Sequence, residues 1–225
     1  MRAINDLTVP PVSCVGAGSL IDCGRFVRTP LTREPFEFLV APGFAPRAAA
    51  AADSFPGPDP PGVPPAPWVE PNTGFGRLSH ALRSPLVTEA FGAQFGLKLT
   101  TDTLMVTPWA RTRPRDGTIH TDSETKLATA LVYLTLVYLN NHWDNAGRLR
   151  LSRGPTDIED LIAEVPPESG MLIAFRRSCR SWRGHTPFDG VRRAIMLNWM
   201  VDVPSARRES RRHAVSAGFG RWPRI

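Results

Sequence analysis

An all-β core with flanking helices, an α+β chain of sandwich or barrel type, is the fold class the sequence predicts, and three observations point there. Helix signals cluster before residue 99, and short apolar runs separated by turn residues take over after it. Helices come first and strands follow with no βαβ alternation, which favours helices packed outside the strand layers. At 225 residues the chain fits one domain with irregular ends and can bury a substantial core.

Taken in order, residues 1–35 are mixed and Pro-punctuated, and a loose segment with one strand at most is expected. Glu37 to Val40 reads as a short strand, and Pro46 to Ala52 as a short helix opened by proline. Residues 55–71 hold eight prolines, which excludes regular structure and predicts a stiff surface connector that could serve as a lid. Ser84-Pro85 supplies an N-cap and a first-turn proline. Leu86, Ala90, Phe91 and Phe95 then recur at helical spacing until Gly96 stops the helix. Strands are expected over Leu104–Thr107, Leu127–Leu139, Arg148–Leu151, Met171–Phe175 and Ala194–Val201. Within the second of these, Leu-Val-Tyr-Leu occurs twice with an odd offset, so Tyr133 and Tyr138 fall on opposite faces of one strand. Tyr138 is the one expected to point inward. The organisation predicted is an irregular segment over 1–35, one domain over 36–203 with its chemistry within about 104–203, and a basic, disordered tail over 204–225.

Composition removes several function classes. The first twenty residues lack a charged start followed by an apolar run, so no signal peptide is expected. No stretch approaches the 18 or more apolar residues of a membrane span. Cys14, Cys23 and Cys179 have no metal-type spacing, and a reduced, cytoplasmic protein is expected; Cys179, beside Arg177 and Arg180, is an ordinary thiol on the simplest reading. The net charge of +6 rests almost wholly on arginine, with Lys98 and Lys126 the two lysines. Six arginines crowd the last twenty-one residues and read as a solvated tail, the alternative being contact with an anionic partner such as nucleic acid. His80 lies among helical apolar residues, His142 in a turn and His213 in the tail, and none belongs to a motif. Ser79-His80 lacks the Gly-x-Ser-x-Gly elbow of a hydrolase.

The chemistry gathers elsewhere. His120 and Asp122 share one face if the segment is extended, roughly 6.5 Å apart along it. His185 and the pair Arg192-Arg193 follow some sixty residues later. A His-x-Asp, a distant His and a nearby Arg is the order of parts in a non-haem iron site, where two imidazoles and a carboxylate take one face of Fe(II).

The segment from about Asp116 to Trp199 resembles the catalytic core of the iron(II)- and 2-oxoglutarate-dependent dioxygenases, in particular the prolyl-4-hydroxylase-like branch. The resemblance rests on Asp116-Gly117-Thr118-Ile119-His120-Thr121-Asp122, on Tyr138-Leu139-Asn140-Asn141-His142-Trp143 with Gly147-Arg148-Leu149-Arg150, and on Pro166 to Phe175. His185-Thr186-Pro187, Gly190-x-Arg192-Arg193 and Trp199 complete it. It implies a double-stranded β-helix, a jelly-roll or cupin-like barrel, with Fe(II) inside one end. The implied co-substrate is 2-oxoglutarate, and ascorbate is an auxiliary the resemblance allows. The implied reaction is hydroxylation of an amino-acid, peptidyl or small-metabolite substrate with release of succinate and CO2. His120 and Asp122 would be iron ligands. An arginine on the last strand would grip the far carboxylate of 2-oxoglutarate as a fork, with Arg193 favoured by its spacing to Trp199, Arg192 as runner-up and Tyr138 assisting.

One position departs from the pattern. Where the family carries its distal histidine this chain has Arg183, whose guanidinium stays protonated and offers no lone pair. Three readings follow. His185, two residues on, takes over as the third ligand; or Arg183 pairs with Asp122 and fills the iron cavity, leaving a binding or regulatory module without catalysis; or iron is held by His120 and Asp122 with water in the third place.

Overall fold

Local signals and apolar alternation together account for most elements of the computed structural model, which describes residues 19–56, 70–134 and 147–219. The first half runs α1 (Cys23–Arg28), β1 (Phe38–Ala41), α2 (Ala48–Asp53), α3 (Gly74–Leu82) and α4 (Pro85–Phe95). The second half runs β2 (Leu104–Thr112), β3 (Lys126–Tyr133), β4 (Leu149–Ser152), β5 (Leu161–Val165), β6 (Leu172–Arg176), β7 (Trp182–Gly184), β8 (Gly190–Met200) and α5 (Val203–Phe219). Helix α4 begins and ends where its caps dictate: the Ser84 hydroxyl accepts from the Val87 N–H, and Gly96 turns left-handed at φ 61°.

The strands form two antiparallel sheets, a five-stranded one in the order β1-β6-β3-β8-β2 and a three-stranded one in the order β5-β4-β7. Alternation divides the large sheet into two faces. Ala128, Ala130 and Val132 of β3 and Ile195, Leu197 and Trp199 of β8 join the core made with the helices. There the Trp199 ring lies 4.5 Å from Phe91, which stacks in turn on Phe26 at 4.2 Å. The other face carries Tyr133, Ile173, Phe175 and Ala194, which pack with Leu149, Leu151 and Val165 of the small sheet. Helices therefore cover one side of the large sheet and the second sheet covers the other, with the candidate site between the sheets.

Four elements were not expected from the sequence. Strands β5 and β7 are short and gain their definition from pairing on either side of β4. Helix α1 sits in the segment expected to be loose. The tail beyond residue 203 is not disordered throughout, because α5 occupies Val203–Phe219. Asp202 Oδ1 accepts from the Ser205 N–H at 2.7 Å, and Ala206 buries against Met105 and Met200, so the basic segment starts from a capped and docked turn. The proline-rich stretch over 57–69 and the second Leu-Val-Tyr-Leu, with Tyr138, lie outside the described residues. Among the described residues no helix is long and apolar enough to cross a membrane.

Candidate functional site

Backbone pairing builds the site's frame. The His120 N–H donates to the Arg183 carbonyl at 2.9 Å, and the Arg183 N–H returns a bond to the His120 carbonyl at 3.0 Å. This single bridge adds the His120 segment to the edge of the small sheet beside β7. Upstream, Pro114–Gly117 is a 3-10 turn, so His120 lies on a bridged loop instead of the interior of a strand. Two glycines let the chains cross so closely. A Cβ on Gly117 would stand 2.4 Å from the His185 carbonyl oxygen, and one on Gly184 would stand 2.8 Å from the Gly117 carbonyl oxygen. The glycines of Asp116-Gly117 and Arg183-Gly184-His185 are visible in the sequence, but a glycine does not say which distant chain approaches it.

A cavity of about 370 Å³ opens between the sheets, within the usual range for small-molecule sites. His120, Asp122, Lys126, Arg183, His185 and Arg192 all line it. At its centre is Asp122. Its Oδ1 accepts from Arg183 Nη2 at 2.8 Å and from Lys126 Nζ at 2.7 Å, and its Oδ2 accepts from the Thr129 hydroxyl at 2.6 Å. Burial alone would raise the Asp122 pKa. The Arg183 and Lys126 charges, with the hydrogen bonds from Lys126 and Thr129, outweigh it and hold the carboxyl well below the usual carboxylate range. Arg183 is only 7% exposed, and its guanidinium lies over the Phe175 ring at 4.8 Å from the centroid.

The two histidines flank this pair. Partial desolvation at the rim, then the Arg183 charge, pushes the His120 pKa down against the opposing Thr118 carbonyl and Asp122, with Lys126 also lowering it. Its Nδ1 lies 2.8 Å from the Thr118 carbonyl oxygen. His185 is buried, with Nδ1 2.8 Å from the Thr186 carbonyl oxygen. Burial leads the lowering of its pKa, Arg192 and His120 add to it, and the Thr186 hydrogen bond and Asp116 oppose it. Although His120, Asp122 and His185 share the cavity, no three His, Cys, Asp or Glu side chains among the described residues come together as a group able to hold one metal ion. The donor set does not fit Fe(II). The one carboxylate already carries three hydrogen bonds, two of them from cations, and the neighbouring guanidinium cannot ligate.

On the last strand, Arg192 and not the Arg193 favoured by the family resemblance faces the cavity. Arg193 shares its face with Ile195, Leu197 and Trp199, and that face meets the helices. Its Nη1 donates to the Ala52 carbonyl at 2.8 Å and its guanidinium lies 5.6 Å over Phe55. Arg192 is the arginine that enters the cavity, 6% exposed, with Nη2 donating to the Tyr133 hydroxyl at 2.8 Å. Tyr133, fully buried on the cavity-side face of β3, was the tyrosine that the sequence left facing away. Helix α5 contributes Glu209 to the lining, a residue that no motif singled out.

No protein-family model matches this chain, and no curated protein matches it. Solved structures similar to it are prolyl-4-hydroxylases. A Pseudomonas putida prolyl-4-hydroxylase shares 17% identity over 72% of this chain and 85% of its own, with a TM-score of 0.48. A prolyl 4-hydroxylase from Phytophthora capsici shares 16% identity over 72% and 57%, at 0.47. A viral collagen prolyl hydroxylase from Paramecium Bursaria Chlorella virus-1 shares 14% over 82% and 94%, also at 0.47.

Proposed function

We propose that this chain is a jelly roll of the iron(II)/2-oxoglutarate dioxygenase type that works without iron, as a binding or regulatory module for a small anionic ligand. The single observation that carries this reading is the buried Arg183–Asp122 ion pair at 2.8 Å. In the motif order read from the sequence, Asp122 is the metal carboxylate and Arg183 stands in place of the distal imidazole. A permanently protonated guanidinium supplies locally the positive charge that a metal would otherwise bring. Handing Asp122 to a metal would strand that guanidinium, a severe cost in a buried site.

The test is anaerobic Fe(II) titration of the full chain followed by metal analysis and an assay for succinate formed from 2-oxoglutarate. The expected result is no stoichiometric iron at micromolar concentration and no succinate, with iron binding gained by Arg183→His. One tightly held iron per wild-type chain, with succinate release, would overturn the reading.

A second reading is favoured by one observation: His120, Asp122 and His185 line the same cavity. It is a 2-oxoglutarate-dependent dioxygenase that hydroxylates an amino-acid, peptidyl or small-metabolite substrate, in which Arg183 withdraws and His185 completes the ligand set. The same titration decides it, since iron binding would then be lost in His185→Ala and scarcely changed in Arg183→His.

A further inference from the structure

We infer that the outward face of α5 is an electrostatic docking surface for double-stranded DNA, with Arg207, Arg208 and Arg211 seated on backbone phosphates. The inference goes beyond the metal-independent reading and does not rest on it, because none of these three arginines lines the cavity.

Charge is sorted across this helix. Ser205 and Ala206 are buried and Glu209 is half-buried, while Arg207, Arg208, Arg211 and Arg212 are exposed. Glu209, the one acidic residue of Val203–Phe219, lies on the docked side, where it lines the cavity and pairs with Arg212. At 3.6 residues per turn, positions 207, 208 and 211 fall within an arc of about 100° on the side away from 205, 206 and 209. A solvated helix face ordinarily interleaves charges of both signs, so that pairs three and four residues apart attract. Here they repel. Among the described residues the Arg207 and Arg211 side chains have no hydrogen bond or ion pair. Arg208 donates to the neutral Ser205 hydroxyl at 2.9 Å and favours the Asp202 carboxylate, which already accepts from the Ser205 N–H. A face of bare like charges is relieved by a partner that supplies anions in a row.

Rigidity and chemistry select that partner. Asp202 caps the first turn and Ala206 buries against Met105 and Met200, so the arginines stand on an anchored rod. Arg207 and Arg211 are about 6 Å apart along its axis. B-DNA carries about one negative charge per 1.7 Å of its own axis, so several phosphates come within reach of that span. An anionic membrane suits the face less well. The exposed arc carries Pro204 and the three arginines, with no large aliphatic or aromatic side chain to enter a lipid surface. The chain's net charge of +6 adds long-range attraction of the same sign.

The experiment is fluorescence-anisotropy titration of a short, dye-labelled, random-sequence DNA duplex with the full chain in EDTA, from about 50 to about 200 mM NaCl. Three phosphate contacts predict that wild-type affinity falls at least about fortyfold across that range. Arg207→Gln/Arg208→Gln/Arg211→Gln should bind at least tenfold more weakly at the low-salt end and respond less steeply to salt. The matching lysine triple, which keeps the charge, should stay within threefold of wild type, and so should Arg153→Gln/Arg180→Gln, a control pair of exposed arginines elsewhere. Should the glutamine triple fail to fold, Arg207→Gln/Arg211→Gln, which breaks no side-chain hydrogen bond or ion pair among the described residues, must still weaken binding at least fivefold. No binding of the duplex at low salt, or an affinity indifferent to the glutamine variants, overturns the docking surface. An equal loss in the control pair overturns it too, since net charge and not this face would then be responsible. Sedimentation with phosphatidylserine vesicles completes the test: vesicles bound through the same arginines while the duplex is ignored would replace DNA with a membrane.

Discussion

Replacing Asp122 with alanine removes the acceptor of three side-chain hydrogen bonds and leaves Arg183 as an uncompensated buried cation. Removing one partner of a buried pair costs on the order of 3–5 kcal/mol, because the survivor keeps its desolvation penalty. Lys126 contributes less to this loss. It sits nearer solvent, with 15% of its side chain exposed, and can turn toward water. For a chain of this size each kcal/mol lowers the melting temperature by about 2–4 °C, so a fall of roughly 6–20 °C is expected. Adding Arg183→Met removes the stranded charge and places an apolar chain against Phe175. The double variant should recover to within about 2 kcal/mol of wild type, since apolar replacement of a buried pair is close to neutral. The assay is urea denaturation of wild type, both single variants and the double variant, which together isolate the coupling between the two side chains. A loss below about 1 kcal/mol for Asp122→Ala, or a double variant no more stable than Asp122→Ala, would refute the claim that the pair is desolvated and coupled.

Stability should fall as pH drops from 7 toward 5. His120 and His185 both have lowered pKa values in the fold, so the unfolded chain binds more protons once pH passes below about 6.5. Denaturation midpoints across that range should show the slope, and it should flatten when both histidines become glutamine. Below about pH 4 a further loss is expected, because the depressed Asp122 carboxyl stabilises the fold fully above its unfolded pKa and progressively less as pH falls toward its folded one. Gly117→Ala should cost about 1–3 kcal/mol by thermal melting, since its Cβ would meet the His185 carbonyl oxygen at 2.4 Å and something must shift. Arg193→Ala should lower the melting temperature by loosening the Ala52 and Phe55 contacts, and an unchanged melting temperature would contradict the face assignment.

Much of the scaffold was legible because local chemistry and tertiary packing agree in it. The cap serine and stop glycine of α4 needed no tertiary information, and the apolar runs of β3, β6 and β8 stand out between turn residues. What stayed hidden depends on partners distant in sequence. Trp182–Gly184 is three residues long and becomes a strand only beside β4, while Leu161–Val165 is mostly half-buried and shows little contrast between its faces. Arginine-rich composition masked α5, whose docking depends on small contacts around Ala206. For the site, order and spacing together with the family resemblance singled out His120, Asp122 and His185, and all three line one cavity. The choice between Arg192 and Arg193 could not be made from alternation alone. Alternation separates the two faces of β8 without saying which meets the helices, and Trp199 packing at a tilt against Phe91 is what fixes that.

The reciprocal main-chain bonds between residues 120 and 183 carry a consequence for how this scaffold can change. Amide and carbonyl groups hold the crossing together, and they are blind to which side chain hangs from position 183. The side chain at position 183 can therefore change what the cavity presents to a ligand without realigning a strand.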